Sequence, residues 1–273
     1  MIKILKRVVQ VAAFLYLFMI AGLYFFQEGL IFNFAPVAAD YQYSYSRPHE
    51  FLSLNKKDGA TLHGVIFQHN PTRPSDQVVL YFKGNAGNIG RSEEMAAPYL
   101  EMGYDFISMD YRDFGKSRGE FTEAALLADA LDWYNLAVSK YGQGNVKILA
   151  WSMGGAFAAH VAANTDAQDF IVFAPFKSVI DMGYRRYPFI KHEWFTRFPL
   201  RSDLRLAQVK DKSYVIYHGT EDKVVPHASG QALHRAANRQ SIDFITIKGA
   251  NHMDIPWRTE VLQDVKRRWQ KGK

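Results

Sequence analysis

Short apolar runs alternate with amphipathic segments through most of the chain, and this alternation restricts the possible folds more than any other feature. After two strand-like runs at 51–55 and 61–68, strands are predicted at 78–82, 105–109, 146–151, 170–174, 213–218 and 242–247. Helices are predicted at 91–102, 120–141, 154–164, 228–237 and 259–269. This pattern is typical of a mostly parallel sheet covered by helices on both faces. It predicts an α/β fold whose ligands bind at the C-terminal ends of the strands.

The composition is that of one globular domain over residues 46–273, because no repeat, Ser/Gly linker or charge block interrupts that range. Hydrophobic residues make up 48% of the 273 residues and charged residues 22%, which excludes disordered and collagen-like classes. The chain has no Cys. A disulfide framework, a thiolate zinc site, an iron–sulfur cluster and a cysteine nucleophile are therefore excluded.

Residues 8–26 form an uncharged, apolar run with a single polar interruption, Gln10. As a helix, a run of this length reaches roughly 28 Å, close to the hydrocarbon thickness of a bilayer. It exceeds the apolar core of about 7–15 residues that is usual in signal peptides. We therefore expect an uncleaved signal anchor over residues 1–30 and a juxtamembrane connection over residues 31–45. The alternatives are a signal peptide cleaved near residues 37–39 and a buried core helix.

The charges that flank this run predict its orientation. Lys3, Lys6 and Arg7 precede it and Glu28 follows it, which favours a cytoplasmic N-terminus. The sequence thus predicts a single-pass membrane protein whose remaining chain is extracytoplasmic, and periplasmic if the protein comes from the inner membrane of a bacterium.

The net charge of +6 is produced by the two ends of the chain. Basic residues without any acidic partner occupy residues 1–7 and 266–273, and the body between them is slightly acidic. A nucleic-acid partner is therefore not expected. Neither a metal site nor another cofactor is expected, since the sequence contains no H-E-x-x-H motif or carboxylate cluster. The sequence does not predict the oligomeric state.

Three residues with the chemistry of a catalytic triad follow three of the predicted strands. Ser152 lies between small residues at a strand-to-helix turn, as a nucleophile elbow requires. Because a serine hydroxyl needs a base and an orienting acid to attack a carbonyl, further candidates are required. Asp222 and His252 supply them, each in a loop after a later strand. The chain order Ser, Asp, His predicts Ser152 as nucleophile, Asp222 as acid and His252 as base.

An oxyanion hole is predicted from two turns. The strand at 78–82 is followed by small residues at 83–88, whose backbone N–H groups can point at a bound carbonyl oxygen. We predict donors from the N–H groups of Met153 and Asn85, with Ala86 as the alternate to Asn85.

Residues 177–210 interrupt the alternation, because they contain many aromatic and basic residues but no clear strand. Two interpretations remain open, a short lid-like insertion and an ordinary helical connection. The side chains proposed for substrate binding are Lys83, Tyr184, Tyr187, Phe189 and Trp194.

At these motifs the sequence resembles the α/β-hydrolase superfamily, and within it the membrane-anchored Bem-type serine hydrolases of the prolyl-oligopeptidase-like and serine-aminopeptidase-like group. The resemblance covers roughly residues 45–270 and is carried by residues 81–88, 109–117, 152–155, 218–226 and 249–252. It implies an α/β-hydrolase fold with the same three catalytic residues. Two positions depart from the pattern, since Lys83 replaces the usual His and Ala150 the usual Gly. The Lys83 ammonium is expected to pair with Asp110 or with a substrate anion.

The resemblance implies a membrane-anchored serine hydrolase that forms an acyl-enzyme on a carboxylic ester or thioester, including lipid-like substrates. A serine peptidase and a non-catalytic, membrane-tethered binding protein on the same fold are the alternatives.

Overall fold

The computed structural model describes residues 1–73, 75–237 and 242–270 and contains one eight-stranded sheet. The strands are β1 His49–Asn55, β2 Thr61–Phe67, β3 Val78–Phe82, β4 Asp105–Met109, β5 Val146–Trp151, β6 Asp169–Phe173, β7 Ser213–Gly219 and β8 Ile242–Ile247. Their spatial order is β1-β2-β4-β3-β5-β6-β7-β8. The pairs β1–β2 and β2–β4 are antiparallel, and the remaining pairs are parallel. The predicted strands are thereby confirmed, with ends that differ by at most two residues.

The helices are α1 Ile2–Ile31, α2 Ser92–Glu101, α3 Glu123–Tyr141, α4 Gly154–Asn164, α5 Val179–Arg186, α6 Ser202–Leu206, α7 His227–Ala236 and α8 Thr259–Gln270. Thr122 begins α3 with a side-chain cap, because its hydroxyl accepts a hydrogen bond from the backbone N–H of Ala125 at 3.2 Å.

Both faces of the sheet are buried, as the near-continuous apolar strands predict. Every residue of β3 and β4 is buried. Val78, Leu80 and Phe82 belong to a core cluster that includes residues of α3 and α4. Val79 and Tyr81 belong to a second cluster that includes residues of α2 and α8. The alternation of side chains along β3 thus places helices on both faces, which confirms that prediction.

Helix α1 contains the predicted anchor run, and within the described part of the chain it is the one helix long and apolar enough to cross a membrane. Its most apolar 18-residue window has a mean hydropathy of 2.1, and none of that window is buried in the protein. The alternative of a buried core helix is therefore wrong. The cleaved-signal alternative is not decided by this geometry.

The residues after α1 pack against the part of the chain that forms the sheet and its helices. Phe32 is buried, with its ring edge-on to the rings of Phe121 and Phe198 at 4.7 and 5.1 Å between centroids. Isolated β-bridges join Asn33 to Ala86 and Pro36 to Gly115. The end of α1 is consequently fixed to the C-terminal edge of the sheet.

Residues 177–210 contain α5 and α6 with a 3₁₀ turn, His192–Trp194, between them. Helix α6 packs on α4. The side chain of Gln27 in α1 donates to the carbonyl oxygen of Phe195 at 3.2 Å and accepts from the N–H of Arg197 at 2.7 Å. The segment thus joins β6 to β7 through short helices and also contacts α1, and its role as a lid-like insertion stays a prediction.

Candidate active site

Ser152 lies at a strained turn between β5 and α4. Its φ of +54° falls in the left-handed region, which is unusual for a residue with a side chain. Its N–H donates to the carbonyl oxygen of Phe173 at 2.8 Å, which ties the turn to the neighbouring strand. Gly154 is required because a Cβ at that position would lie 2.0 Å from the carbonyl oxygen of Phe82. The turn therefore has the backbone geometry of a nucleophile elbow at the N-terminus of a helix.

Asp222 and His252 form a hydrogen-bonded pair after β7 and β8. His252 Nδ1 lies 2.7 Å from Asp222 Oδ2, and both side chains are almost completely buried. The other carboxylate oxygen, Oδ1, accepts the backbone N–H groups of Val224 and Val225 at 2.9 and 2.8 Å. Since an ionised carboxylate can only accept, Nδ1 carries the proton and Nε2 is left as the basic nitrogen.

The pKa of Asp222 lies well below its ordinary value. Burial by itself would raise this pKa, but hydrogen bonds from His218 and His252, the charge of a protonated His252 and the N–H of Val225 outweigh it. The carboxylate is therefore ionised at neutral pH and orients the imidazole of His252.

The structure brings Ser152 and His252 to the same edge of the sheet without a direct hydrogen bond in the described residues. The ring of His252 lies 5.9 Å from the ring of Trp151, the residue before Ser152. Both catalytic candidates are largely buried, with 8% of Ser152 and 7% of His252 exposed. A bond between such a serine and histidine commonly tightens only when substrate is present.

The oxyanion hole is predicted from the backbone N–H groups of Met153, Asn85 and Ala86. None of these three groups has a hydrogen-bond acceptor among the described residues. The loop that carries two of them approaches the nucleophile closely, because a Cβ on Gly84 would lie 3.7 Å from the Cβ of Ser152. Unpaired N–H groups beside the nucleophile are the arrangement that stabilises an oxyanion.

The Lys83 side chain stabilises the loop at residues 83–88. Its ammonium donates to the carbonyl oxygen of Gly87 at 2.7 Å, lies 3.8 Å from Asp110 and stands 3.9 Å above the ring of Phe114. Burial lowers the pKa of Lys83, and burial likewise raises the pKa of Asp110. Of the two partners expected for this ammonium, the structure supplies Asp110. Contact between Lys83 and substrate stays a prediction that these interactions do not favour.

The four aromatic residues proposed for substrate binding lie apart from the triad. Tyr184 donates to Glu193, while Tyr187, Phe189 and Trp194 are exposed to solvent. Within the described ranges, no hydrogen bond, ion pair or ring contact joins any of these side chains to Ser152, Asp222 or His252. Their role in substrate binding also stays a prediction.

His218 is a neighbour of the triad that the sequence pattern did not indicate. Its ring is fully buried, with Nε2 2.9 Å from the carbonyl oxygen of Val225 and 3.5 Å from the Asp222 oxygen that receives His252. In the sequence, only its position at the end of β7, four residues before Asp222, could have indicated this contact. Histidine at a strand end is too common to indicate this contact.

Comparison with known proteins shows similarity over much of the chain. Residues 73–213, just over half of the sequence, match the family described as Hydrolase_4, serine aminopeptidase S33. The matched range contains Ser152 and the oxyanion loop, and it ends before Asp222 and His252.

Two relatives show moderate sequence identity. An uncharacterised protein of Mycobacterium tuberculosis is 27% identical over 204 residues, which cover 74% of this chain and 71% of that protein. The lysophosphatidylserine lipase ABHD12 of Gallus gallus is 27% identical over 207 residues, which cover 67% of this chain and 54% of the lipase. The chain thus spans about half the length of that lipase.

Among solved structures, the esterase of Pyrococcus furiosus superposes with a TM-score of 0.68 at 15% identity, covering 88% of this chain and 97% of the esterase. At this identity the likeness concerns the fold alone. It confirms the expected α/β-hydrolase fold.

Proposed function

The chain belongs to the serine aminopeptidase S33 family of hydrolases, and from this premise we propose that it is a membrane-anchored serine hydrolase that cleaves carboxylic esters of lipid-like substrates through Ser152, His252 and Asp222. The observation that carries the proposal is the convergence of three loops. The strained Ser152 turn, the 2.7 Å pair of His252 with Asp222 and the unpaired N–H groups of Met153 and Asn85 lie at one edge of the sheet.

The proposed reaction has two steps. Ser152 Oγ attacks the ester carbonyl carbon while His252 Nε2 takes the hydroxyl proton, and the N–H groups of Met153 and Asn85 stabilise the oxyanion. Collapse of the tetrahedral intermediate breaks the ester bond, and His252 returns the proton to the leaving alkoxide. Water then attacks the acyl-enzyme with His252 as base again, which releases the carboxylic acid and regenerates Ser152.

A lipid-like ester is favoured over a peptide for two reasons. A relative that matches two thirds of the chain is a lysophosphatidylserine lipase, and helix α1 is long and apolar enough to hold the domain at a membrane surface. The peptidase alternative rests on the description of the family. A thioester remains compatible with the same chemistry.

We propose the same domain organisation and location that the sequence predicts. Residues 1–30 form the anchor, residues 31–45 the connection and residues 46–273 the hydrolase domain, with residues 177–210 as an insertion. Lys3, Lys6 and Arg7 favour a cytoplasmic N-terminus, and the domain then lies on the other side. In a bacterial inner membrane that side is the periplasm.

A fluorophosphonate probe tests the nucleophile directly. The full-length protein in detergent should be labelled, and Ser152→Ala should abolish labelling. Ser178→Ala is a matched control, since Ser178 caps α5 and its loss should leave labelling intact. Equal labelling of Ser152→Ala and the unmodified protein would exclude Ser152 as nucleophile.

The bond type is tested with paired substrates that carry the same acyl group as an ester, a thioester or an anilide. We expect the specificity constant for the esters to exceed that for the anilides. A higher specificity constant for the anilides would favour the peptidase alternative. A series of acyl chain lengths then tests the lipid-like substrate, for which longer chains should be preferred.

A further inference from the structure

One face of helix α1 is covered by the connection between α5 and α6. Gln27 contacts the backbone of Phe195 and Arg197, and Glu28 pairs with Arg197 at 2.8 Å. Further along the same face, the hydroxyl of Tyr16 donates to the carbonyl oxygen of Phe189 at 3.4 Å. Tyr16 and Gln27 are separated by eleven residues, or about 16 Å along a helix.

These contacts place residues 187–195, here called the tip segment, beside the uncharged part of the anchor helix. Met19, Ile20 and Leu23, which share the face of Tyr16 and Gln27, are partly covered. Phe18 and Phe25 on other faces are 70% and 72% exposed. Glu28 is the first charged residue after the apolar run. If α1 spans a bilayer, as proposed above, the tip segment lies beside its hydrocarbon part, because Tyr16 is near the middle of the apolar run and twelve residues, or about 18 Å, from Glu28.

The tip segment has the side chains of a membrane-interface element. Phe189 is 64% exposed and Trp194 is 83% exposed, although both are large apolar residues. Arg186, Lys191 and Glu193 are exposed beside them, and the Glu193 carboxylate accepts a hydrogen bond from the Tyr184 hydroxyl. Aromatic side chains favour the boundary between headgroups and acyl chains, and long basic side chains can reach the headgroups from there.

Most backbone N–H groups of the tip segment are hydrogen-bonded within the protein, while those of Phe189 and Lys191 have no acceptor among the described residues. The N–H groups of Tyr187, Ile190 and His192 donate to backbone carbonyl oxygens nearby. The carbonyl oxygens of Phe189 and Phe195 accept from Tyr16 and Gln27 of the anchor helix. Such hydrogen bonds are what allows irregular backbone at membrane depth.

We propose that the tip segment is a second membrane-binding site, in which Phe189 and Trp194 insert into the leaflet that adjoins the catalytic domain. The partner is the lipid bilayer itself, with acyl chains around the two aromatic rings and the Arg186 and Lys191 side chains extending towards the headgroups. The proposal rests on the membrane-spanning role proposed for α1, because the anchor helix fixes the level of the tip segment. The hydrolase domain is then held at two points and not by a single flexible tether.

The absence of Cys from the sequence permits a direct test with single labels. Phe189→Cys and Trp194→Cys are each labelled with bimane in the full-length protein and reconstituted into phosphatidylcholine–phosphatidylglycerol vesicles at a high lipid-to-protein ratio. Gln168→Cys is the matched control, because it is exposed just before β6, at the opposite edge of the sheet. Thermal unfolding of each variant in the same vesicles establishes that the domain is folded.

We expect brominated lipids to quench the labels at 189 and 194 and not the label at 168. Iodide is added in the aqueous phase on the side of the membrane where the hydrolase domain lies. It should quench the labels at positions 189 and 194 about fivefold less than the label at position 168, because an ion is excluded from hydrocarbon. Iodide quenching equal to that at 168 would overturn the proposal. Protection from both quenchers would also overturn it, since a second copy of the chain or another protein would then cover the tip. Neither readout depends on turnover, so fluorophosphonate labelling of Ser152 still tests the proposed function separately.

Discussion

The backbone N–H of Asn33 donates a 2.9 Å hydrogen bond to the carbonyl oxygen of Asn85, which joins the residues after the anchor helix to the predicted oxyanion loop. The side chain of Asn85 returns a 2.9 Å bond to the carbonyl oxygen of Ile31. Phe32, between these two contacts, is buried in the domain. The predicted oxyanion loop is thus hydrogen-bonded to the residues at the end of α1 and just after it.

Replacement of Phe32 by Ala should therefore destabilise the domain as well as the loop. Removal of a buried phenylalanine ring that packs on Phe121 and Phe198 typically costs about 3–5 kcal/mol of unfolding free energy. Chemical denaturation of the full-length protein in detergent measures this loss. Phe26→Ala is the control, because that ring is 73% exposed and its removal should leave the unfolding free energy of the domain unchanged. Equal stability of the two variants would show that Phe32 is not part of the domain core.

Asp222→Asn should retain the fold and lose most of the activity. The amide can occupy the position of the carboxylate, but it favours the wrong tautomer of His252 and cannot stabilise the imidazolium. We expect kcat for a soluble ester to fall by about four orders of magnitude with a much smaller change in KM. Steady-state kinetics measures kcat and KM for this variant and for the control Glu221→Gln. Glu221 is the exposed residue that precedes Asp222. Comparable rates for the two variants would contradict the role of Asp222.

The same carboxylate predicts an acid dependence of stability. Folding lowers the pKa of Asp222, so the ionised group stabilises the fold above its unfolded-state pKa, and this contribution is lost as the pH falls below about 4 towards the folded-state value. Unfolding free energies of the unmodified protein and of Asp222→Asn, measured between pH 7 and pH 3, should therefore converge as the pH falls. A difference that stays constant over this range would refute the assignment.

His218 should act as a positioning residue for Asp222. Its Nε2 lies 2.9 Å from the carbonyl oxygen of Val225, whose N–H holds Asp222, and 3.5 Å from Asp222 itself, so its loss should cost about 0.5–1.5 kcal/mol, or roughly 2–10-fold in rate. His218→Leu should lower kcat by that factor, leave KM nearly unchanged and shift the acid limb of the pH–rate profile. His218→Gln keeps a donor and should recover part of the rate. A purely structural role would predict unfolding without a shift of the profile.

The sheet could be predicted from the sequence because each strand carries its own local signal. Runs such as Val78–Phe82 are apolar without interruption, and buried parallel strands require that composition. The chain order of Ser152, Asp222 and His252 likewise follows from strand ends that neighbour one another in a parallel sheet. The structure places His252 and Asp222 in contact as that order predicts, while their catalytic roles stay a prediction.

Contacts between distant parts of the chain could not be predicted in the same way. The sequence predicts residues 31–45 as a juxtamembrane connection, but it does not identify Phe198, far along the chain, as the residue on which Phe32 packs. Lys83 had two possible partners, and only the three-dimensional course of the loop selects Asp110. The environment of His218 depends on a turn geometry that residue types alone do not specify.

Arg112 and Asp129 provide a prediction about stability that is independent of catalysis. The Arg112 guanidinium is 1% exposed and forms a bidentate pair with Asp129 through bonds of 2.7 and 2.9 Å. Loss of Asp129 removes the buried carboxylate and leaves the guanidinium with Asp58, whose half-exposed carboxylate lies 2.7 Å away, so we expect a cost of about 1.5–3 kcal/mol. Asp129→Asn should therefore lower the unfolding free energy by an amount in or near this range, measured by denaturant titration.

Asp132→Asn is the matched control for this pair. Asp132 lies one turn further along α3, contacts Lys56 and has a side chain that is 43% exposed. Exposed ion pairs contribute about 0–1 kcal/mol, so this variant should unfold almost as the unmodified protein does. Similar losses for both variants would mean that burial does not distinguish the two carboxylates. A large loss for Asp129→Asn alone would show that the charge of Arg112 requires its buried partner.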